Sequence, residues 1–158
     1  MFTWHTRAQM ASPPKTARDL PLGALLLEEH LVDPEDLEWA LARARADGRR
    51  LGEVLVAEGL VGERALAQLV ARQEELDFID LGKYDLDLEA TRLLPAALAR
   101  VCQAVAFGFN ETAVKVAVSD PVDGAALEEI RTTLARPVHF FVATRSEVET
   151  ALAEAYGR

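Results

Sequence analysis

The segment PLGALLLEEHLVDPEDLEWALARA, residues 21–44, returns 29 positions later as RLGEVLVAEGLVGERALAQLVARQ, residues 50–73. Leu22, Gly23, Leu26, Glu29, Leu31, Val32, Leu37, Ala42 and Arg43 coincide with Leu51, Gly52, Leu55, Glu58, Leu60, Val61, Leu66, Ala71 and Arg72. Other pairs exchange one apolar residue for another: Leu25 for Val54, Leu27 for Val56, Ala40 for Leu69, Leu41 for Val70. No gap is needed, and five residues, RADGR, separate the copies. A fixed offset of this size is the mark of one supersecondary unit used twice.

Each copy reads as a helix pair. In the first, Leu22, Leu25, Leu26 and Leu27 give one apolar face to a short helix. Asp33 then stands as an N-cap, with Pro34 at the first helical position and Glu35 and Asp36 in the acidic first turn. Leu37, Trp39, Ala40, Leu41 and Ala44 supply the buried side of the second helix, and Gly48 stops it. In the second copy residues 51–58 form the short helix, ended by Gly59, and a long helix runs from Glu63 to about Glu75. Neither pair can bury its faces alone, so the two are expected to pack as a four-helix unit.

Outside the repeat the pattern changes. FIDL, residues 78–81, is a strand candidate, and residues 87–100 hold one or two short helical turns interrupted at Pro95. VCQAVAFGFN and TAVKVAVS are β-rich runs joined by a tight Asn110-Glu111 link, a hairpin in which Cys102 opens a buried strand. A helix from about Asp123, a strand in PVHFFVA and a last helix follow. That last helix opens with a capping box of Thr144 and Glu147. Residues 114–142 make a parallel crossover. The whole is an α+β chain in three parts: a flexible arm (1–20), a helical repeat (21–76) and a small mixed sheet covered by helices on one face, ordered β-β-α-β-α (77–158).

Composition bounds the function. Half of the 158 residues are apolar and 27% are charged, enough for a buried core. The net charge of −9 argues against neutralising a long nucleic acid. One cysteine excludes an intrachain disulfide and fits a reducing, cytoplasmic setting. No apolar run reaches membrane-spanning length, and no phosphate-loop motif of the Walker type is present. His5, His30 and His139 are scattered and share no metal-ligand spacing, and Cys102 reads as an inert core thiol. SDPVD, residues 119–123, has carboxylates that could hold a cation, and its plainer reading is a turn and helix cap after a strand.

The second copy, with Arg50, Leu51, Gly52, Leu55, Gly59, Leu66 and Gln73, resembles the nucleotide-binding motif of the N-terminal domains of type II secretion and type IV pilus assembly ATPases. In that family a 24-residue motif occurs twice with a five-residue spacer, and the domain binds cyclic di-GMP across both copies. The resemblance continues through DFIDLGKYDLD, LLPAALAR and VAVSDPVDGAALEEIR. It implies a non-catalytic regulatory or docking domain that needs no cofactor, with cyclic di-GMP as its ligand. It further implies inner-membrane platform proteins or a partner ATPase as its partners. The long catalytic region of the ATPases does not follow within this chain, which reads as a stand-alone copy or a fragment. The implied half-site is Arg50, Leu51, Gly52, Leu55, Gly59, Leu66 and Gln73, faced by Leu22, Gly23, Leu26 and Leu37.

The chemistry suits such residues. An arginine can fork onto guanine O6 and N7 or meet a phosphate, and a glutamine can pair with a base edge. Folding alone accounts for Leu51, Leu55 and Leu66 as core residues and Gly59 as a C-cap; Arg50, Gly52 and Gln73 are harder to motivate that way. The first copy keeps Leu22, Gly23, Leu26 and Leu37 but has Pro21, His30 and Ala44 where the second has Arg50, Gly59 and Gln73. The alternative is therefore a pure protein–protein module in which a degenerate repeat survives as scaffold.

Overall fold

A computed structural model describes residues 21–121 and 124–157. The arm expected over residues 1–20 lies outside them. The repeat folds as four helices: α1 (Leu22–Glu28), α2 (Pro34–Asp47), α3 (Leu51–Ala57) and α4 (Glu63–Gln73). The two copies share their backbone turns. The residues preceding the short helices, Pro21 and Arg50, are both extended at φ −61°, ψ 152° and φ −76°, ψ 149°. Asp33 and Gly62, before the long helices, match in the same way at φ −78°, ψ 151° and φ −71°, ψ 147°. Asp33 occupies the N-cap position without a side-chain capping bond. Pro34, fixed near the helical φ, starts α2 instead.

The copies interlock. α1 packs on α4 and α3 on α2, so each short helix leans on the long helix of the other copy. Leu25, Leu26, Leu37, Ala40, Val54, Leu55 and Leu69 form their shared core. Arg72 of α4 reaches Glu29 at the end of α1 at 3.1 Å. This closes the faces that neither pair could bury by itself.

One equivalence carries strain. Gly59 and His30 hold the same place in the two copies and both are left-handed, at φ 73° and 57°. Glycine takes that conformation freely, whereas a Cβ there meets the following carbonyl at a cost of roughly 1–2 kcal/mol. We expect His30→Gly to stabilise the fold by up to about 1 kcal/mol and Gly59→Ala to destabilise it by a similar amount. Urea unfolding of the two variants against the parent checks the opposite signs.

The rest of the chain runs β1 (Asp77–Phe78), a 3-10 turn (Leu81–Lys83), α5 (Leu88–Leu93), α6 (Ala96–Cys102), β2 (Ala104–Phe109), β3 (Val114–Val118), α7 (Gly124–Leu134), β4 (Val138–Val142) and α8 (Arg145–Tyr156). The sheet order is β1-β4-β3-β2. β2 and β3 are antiparallel, while β3–β4 and β4–β1 are parallel, so the sheet is mixed. β2 is buried at Ala104 and Ala106 as well as at Val105 and Phe107, which alternate between faces. The sheet is thus covered on both faces there rather than on one.

Four local readings are corrected. The strand expected at 78–81 is only Asp77–Phe78, paired with Phe141 and Val142, and Leu81 belongs to the 3-10 turn. Cys102 ends α6 instead of opening a strand, because Gln103 turns left-handed at φ 52° and breaks the apolar run between helix and strand. The hairpin link is four residues long, from Asn110 to Ala113. Asn110 closes it, its Oδ1 accepting the N–H of Thr112 at 3.1 Å and of Ala113 at 2.8 Å. The capping box at α8 is half formed. Thr144 Oγ1 accepts the N–H of Glu147 at 3.2 Å, but Glu147 directs its carboxylate to the N–H of Gly82 at 3.1 Å.

Candidate functional site

The polar residues of the second repeat copy gather along one seam. α4 lies against β1 and β4, with Ala67 and Ala71 packed on Val142 and beside Phe78. The matching residues of α2, Glu38 and Ala42, are exposed to solvent. Only the second copy's long helix is therefore sandwiched between its repeat partner and the sheet. Its ends and flanks carry the seam's charges. Glu63, in the first turn of α4, accepts both the hydroxyl of Ser146 at 2.6 Å and its N–H at 3.2 Å. Arg64 reaches Asp80 at 3.0 Å and lies over the Phe78 ring at 5.4 Å.

Arg50 sits at the head of this seam. It precedes α3, and its N–H donates to Glu53 Oε1 at 3.2 Å. Its guanidinium is paired with Asp120 in the turn after β3, and 58% of its side chain remains exposed. That exposure leaves the cation within reach of a ligand. Glu53 also faces Arg145, the first residue of α8, at 3.6 Å, and Arg145 Nε reaches Glu149 at 3.3 Å. Two arginines and two carboxylates, Arg50, Arg145, Asp120 and Glu53, thus converge from the repeat and from the sheet half.

The other expected site residues divide by burial. Leu26 and Leu55 are 0% exposed and Leu37 is buried, so they are core and offer no surface to a ligand. Leu22, Leu51 and Leu66 are half-buried. Gly52 has a packing reason that the sequence did not disclose: a Cβ there would lie 3.0 Å from Leu66 Cδ2, tighter than ordinary contact. At Gly23 an added Cβ would lie 3.4 Å from Leu37 Cδ2, an ordinary contact. Gly59 is left-handed and caps α3. Gln73 is the half-buried last residue of α4. Arg50 and Gly52 lie at one end of α3 and Gly59 beyond the other.

Asp120 is the residue that sequence reasoning missed. It lies within SDPVD, read as a turn, and only the fold brings it to Arg50.

Asp80 shows the electrostatics of the seam. The hydrogen bond from Arg64 holds its carboxyl below the ordinary value of 3.8, with Lys83 at 3.3 Å adding to the effect. A carboxyl depressed in the folded state contributes stability that is present above its unfolded pKa and is lost as pH falls through the folded one. The affected window lies below about pH 4. Asp80→Asn is expected to melt slightly lower near neutrality yet lose less on acidification to about pH 3 than the parent. Thermal melts at the two pH values check this.

Among the described residues no cluster of three or more His, Cys, Asp or Glu side chains could hold a metal ion. No described helix is long and apolar enough to cross a membrane.

A tandem helical repeat clamped by charge onto a small mixed sheet is a domain class with known members. The MshEN domain profile matches residues 74–158, which is the sheet half, and this chain belongs to that family. The type IV pilus assembly ATPase PilB of Thermus thermophilus is 36% identical over 143 residues, covering 89% of this chain and 16% of that protein. The bacteriophage adsorption protein B of Escherichia coli is 27% identical over 138 residues, covering 87% of this chain and 18% of that protein. The chain thus spans less than a fifth of either relative. A solved structure of MshE with cdg, cyclic di-GMP, shares the fold at a TM-score of 0.77 and 33% identity, covering 87% of this chain and 99% of that one. The α+β class and the likeness to pilus and secretion ATPase N-terminal domains expected from the repeat are both found.

Proposed function

We propose that this domain is a non-catalytic regulatory part of a pilus assembly or type II secretion ATPase, acting in the cytoplasm, and that it binds cyclic di-GMP at the head of the seam. The observation that carries this reading is the similarity, over nearly its whole length, to MshE solved with cyclic di-GMP. The chemistry of the seam supports it. Arg50 is exposed enough to take a phosphate or a guanine O6/N7 edge. Asp120 beside it is an acceptor suited to the N–H donors of a guanine. Half-buried Leu22, Leu51 and Leu66 are apolar surface for ribose and base.

The test is a calorimetric titration of the chain with cyclic di-GMP. Saturable binding at micromolar ligand is expected, and no heat at high micromolar ligand sinks the proposal. Restoring the first copy gives a second reading of the same site. Pro21 is exposed and has the extended backbone of Arg50, so Pro21→Arg fits without strain and is expected to tighten binding. Adding Ala44→Gln is less informative, because Ala44 is only 7% exposed and belongs to the helical core.

One observation favours a protein-docking module without nucleotide. Arg50, Glu53, Glu63 and Arg64 all contact the sheet half, and their counterparts Pro21, Ala24, Pro34 and Glu35 differ in the copy that does not lie on the sheet. Internal docking alone can therefore account for these four differences between the copies. In that reading the partners are inner-membrane platform proteins or a second ATPase, and the titration stays flat.

A further inference from the structure

The proposed ligand carries two phosphate charges, yet the motif supplies one arginine, because Pro21 stands where the first copy would place the other. Of the arginines in the two long helices, Arg43, Arg64 and Arg72 are each tied to a carboxylate. Arg43 is turned to Asp47 at 2.9 Å and lies over Trp39, and Arg72 is tied to Glu29 at 3.1 Å. Arg145 differs. It comes from the sheet half, at the start of α8, and shares Glu53 with Arg50: Oε1 accepts the Arg50 N–H at 3.2 Å, and Oε2 faces Arg145 Nη1 at 3.6 Å. That second distance is beyond good hydrogen-bonding range, so Glu53 attracts the Arg145 guanidinium without fixing it. Its other partner, Glu149, is an exposed neighbour one helical turn away, a weak tie. With 57% of its side chain exposed, Arg145 can swing to a new anion at little cost.

We propose that Arg145 is the second cation of the cyclic di-GMP site, a phosphate-binding residue donated from outside the repeat. This rests on the reading of the seam as that ligand's site. A mobile arginine held near the site by a long contact is released to the phosphodiester when ligand arrives, and a planar guanidinium matches phosphate oxygens two at a time. It makes up for the cation that the first copy lacks.

The experiment titrates the full chain and three variants with cyclic di-GMP, each checked for its melting temperature. Arg145→Gln is expected to weaken binding ~10-fold or more, the size of one lost charged hydrogen bond. Arg145→Lys is expected to recover part of that loss, because it keeps the charge but not the fork. Ser146→Ala removes the neighbouring contact to Glu63 and so loosens the seam without removing a cation; its affinity is expected to equal the parent's. If the parent binds and Arg145→Gln binds equally well, Arg145 has no ligand role and the inference falls alone. If Ser146→Ala weakens binding as much as Arg145→Gln does, Arg145 acts by holding the seam and the inference is again overturned. If the parent itself fails to bind, the proposed function is lost and this inference with it.

Discussion

Leu55→Ala is expected to destabilise the domain by about 2–5 kcal/mol, and Leu26→Ala by a comparable amount. The two leucines are repeat equivalents and each is 0% exposed. Each belongs to a short helix that is packed on the long helix of the other copy. Truncating either loses the transfer energy of the removed carbons and leaves a cavity, because interlocked helices cannot collapse around one missing side chain. For a chain of this size a loss of that order lowers the melting temperature by roughly 2–4 °C per kcal/mol. Urea denaturation of both variants measures it. Losses below about 0.5 kcal/mol for both would contradict a shared core built from the two copies.

The repeat was legible because its signal is redundant. Nine identical pairs at one offset, apolar spacing and start signals all point to the same four helices, and the backbone turns agree between copies to within about 15°. What failed to show was decided by contacts distant in sequence. β1 is two residues long, and its strand character comes from β4, far along the chain. The run from Val101 to Phe109 is apolar except at Gln103, and no periodicity separates its helical start from its strand. The break is made by Gln103, whose backbone turns left-handed, with Val101 82% exposed on the helix side.

The candidate site divides in the same way. The sequence marked Arg50, and the fold keeps it exposed and charged at a junction. The motif leucines Leu26, Leu37 and Leu55 and Gly52 turn out to serve packing. Asp120 and Arg145 are brought to Arg50 and Glu53 only by the tertiary fold. The loss of polar residues from the first copy also has a physical context. That copy's long helix faces solvent where the other faces the sheet, so Glu38 can stand where close packing demands Ala67.

Arg50→Ala separates the two functional readings because it should affect binding and stability very differently. The Arg50–Asp120 pair is exposed on both sides, and such a pair contributes about 0–1 kcal/mol. The Glu53 contact uses the Arg50 backbone N–H and survives the substitution. The melting temperature is therefore expected to move by no more than a few degrees, far less than for Leu55→Ala. Binding is another matter. A charged hydrogen bond to phosphate or to a guanine edge contributes about 1.5–3 kcal/mol, so removing it should weaken cyclic di-GMP roughly 10- to 150-fold. Asp120→Asn serves as a companion. It breaks the same ion pair but leaves the cation, so its melting temperature reports what the pair contributes to stability; its affinity reads Asp120's own proposed contact to guanine and is not a control for Arg50. Calorimetry and melting on the same preparations give both quantities. Binding that persists unchanged in Arg50→Ala moves the ligand away from the seam head. A large fall in melting temperature with no ligand effect would make Arg50 a structural clamp between repeat and sheet, as the docking-module reading requires.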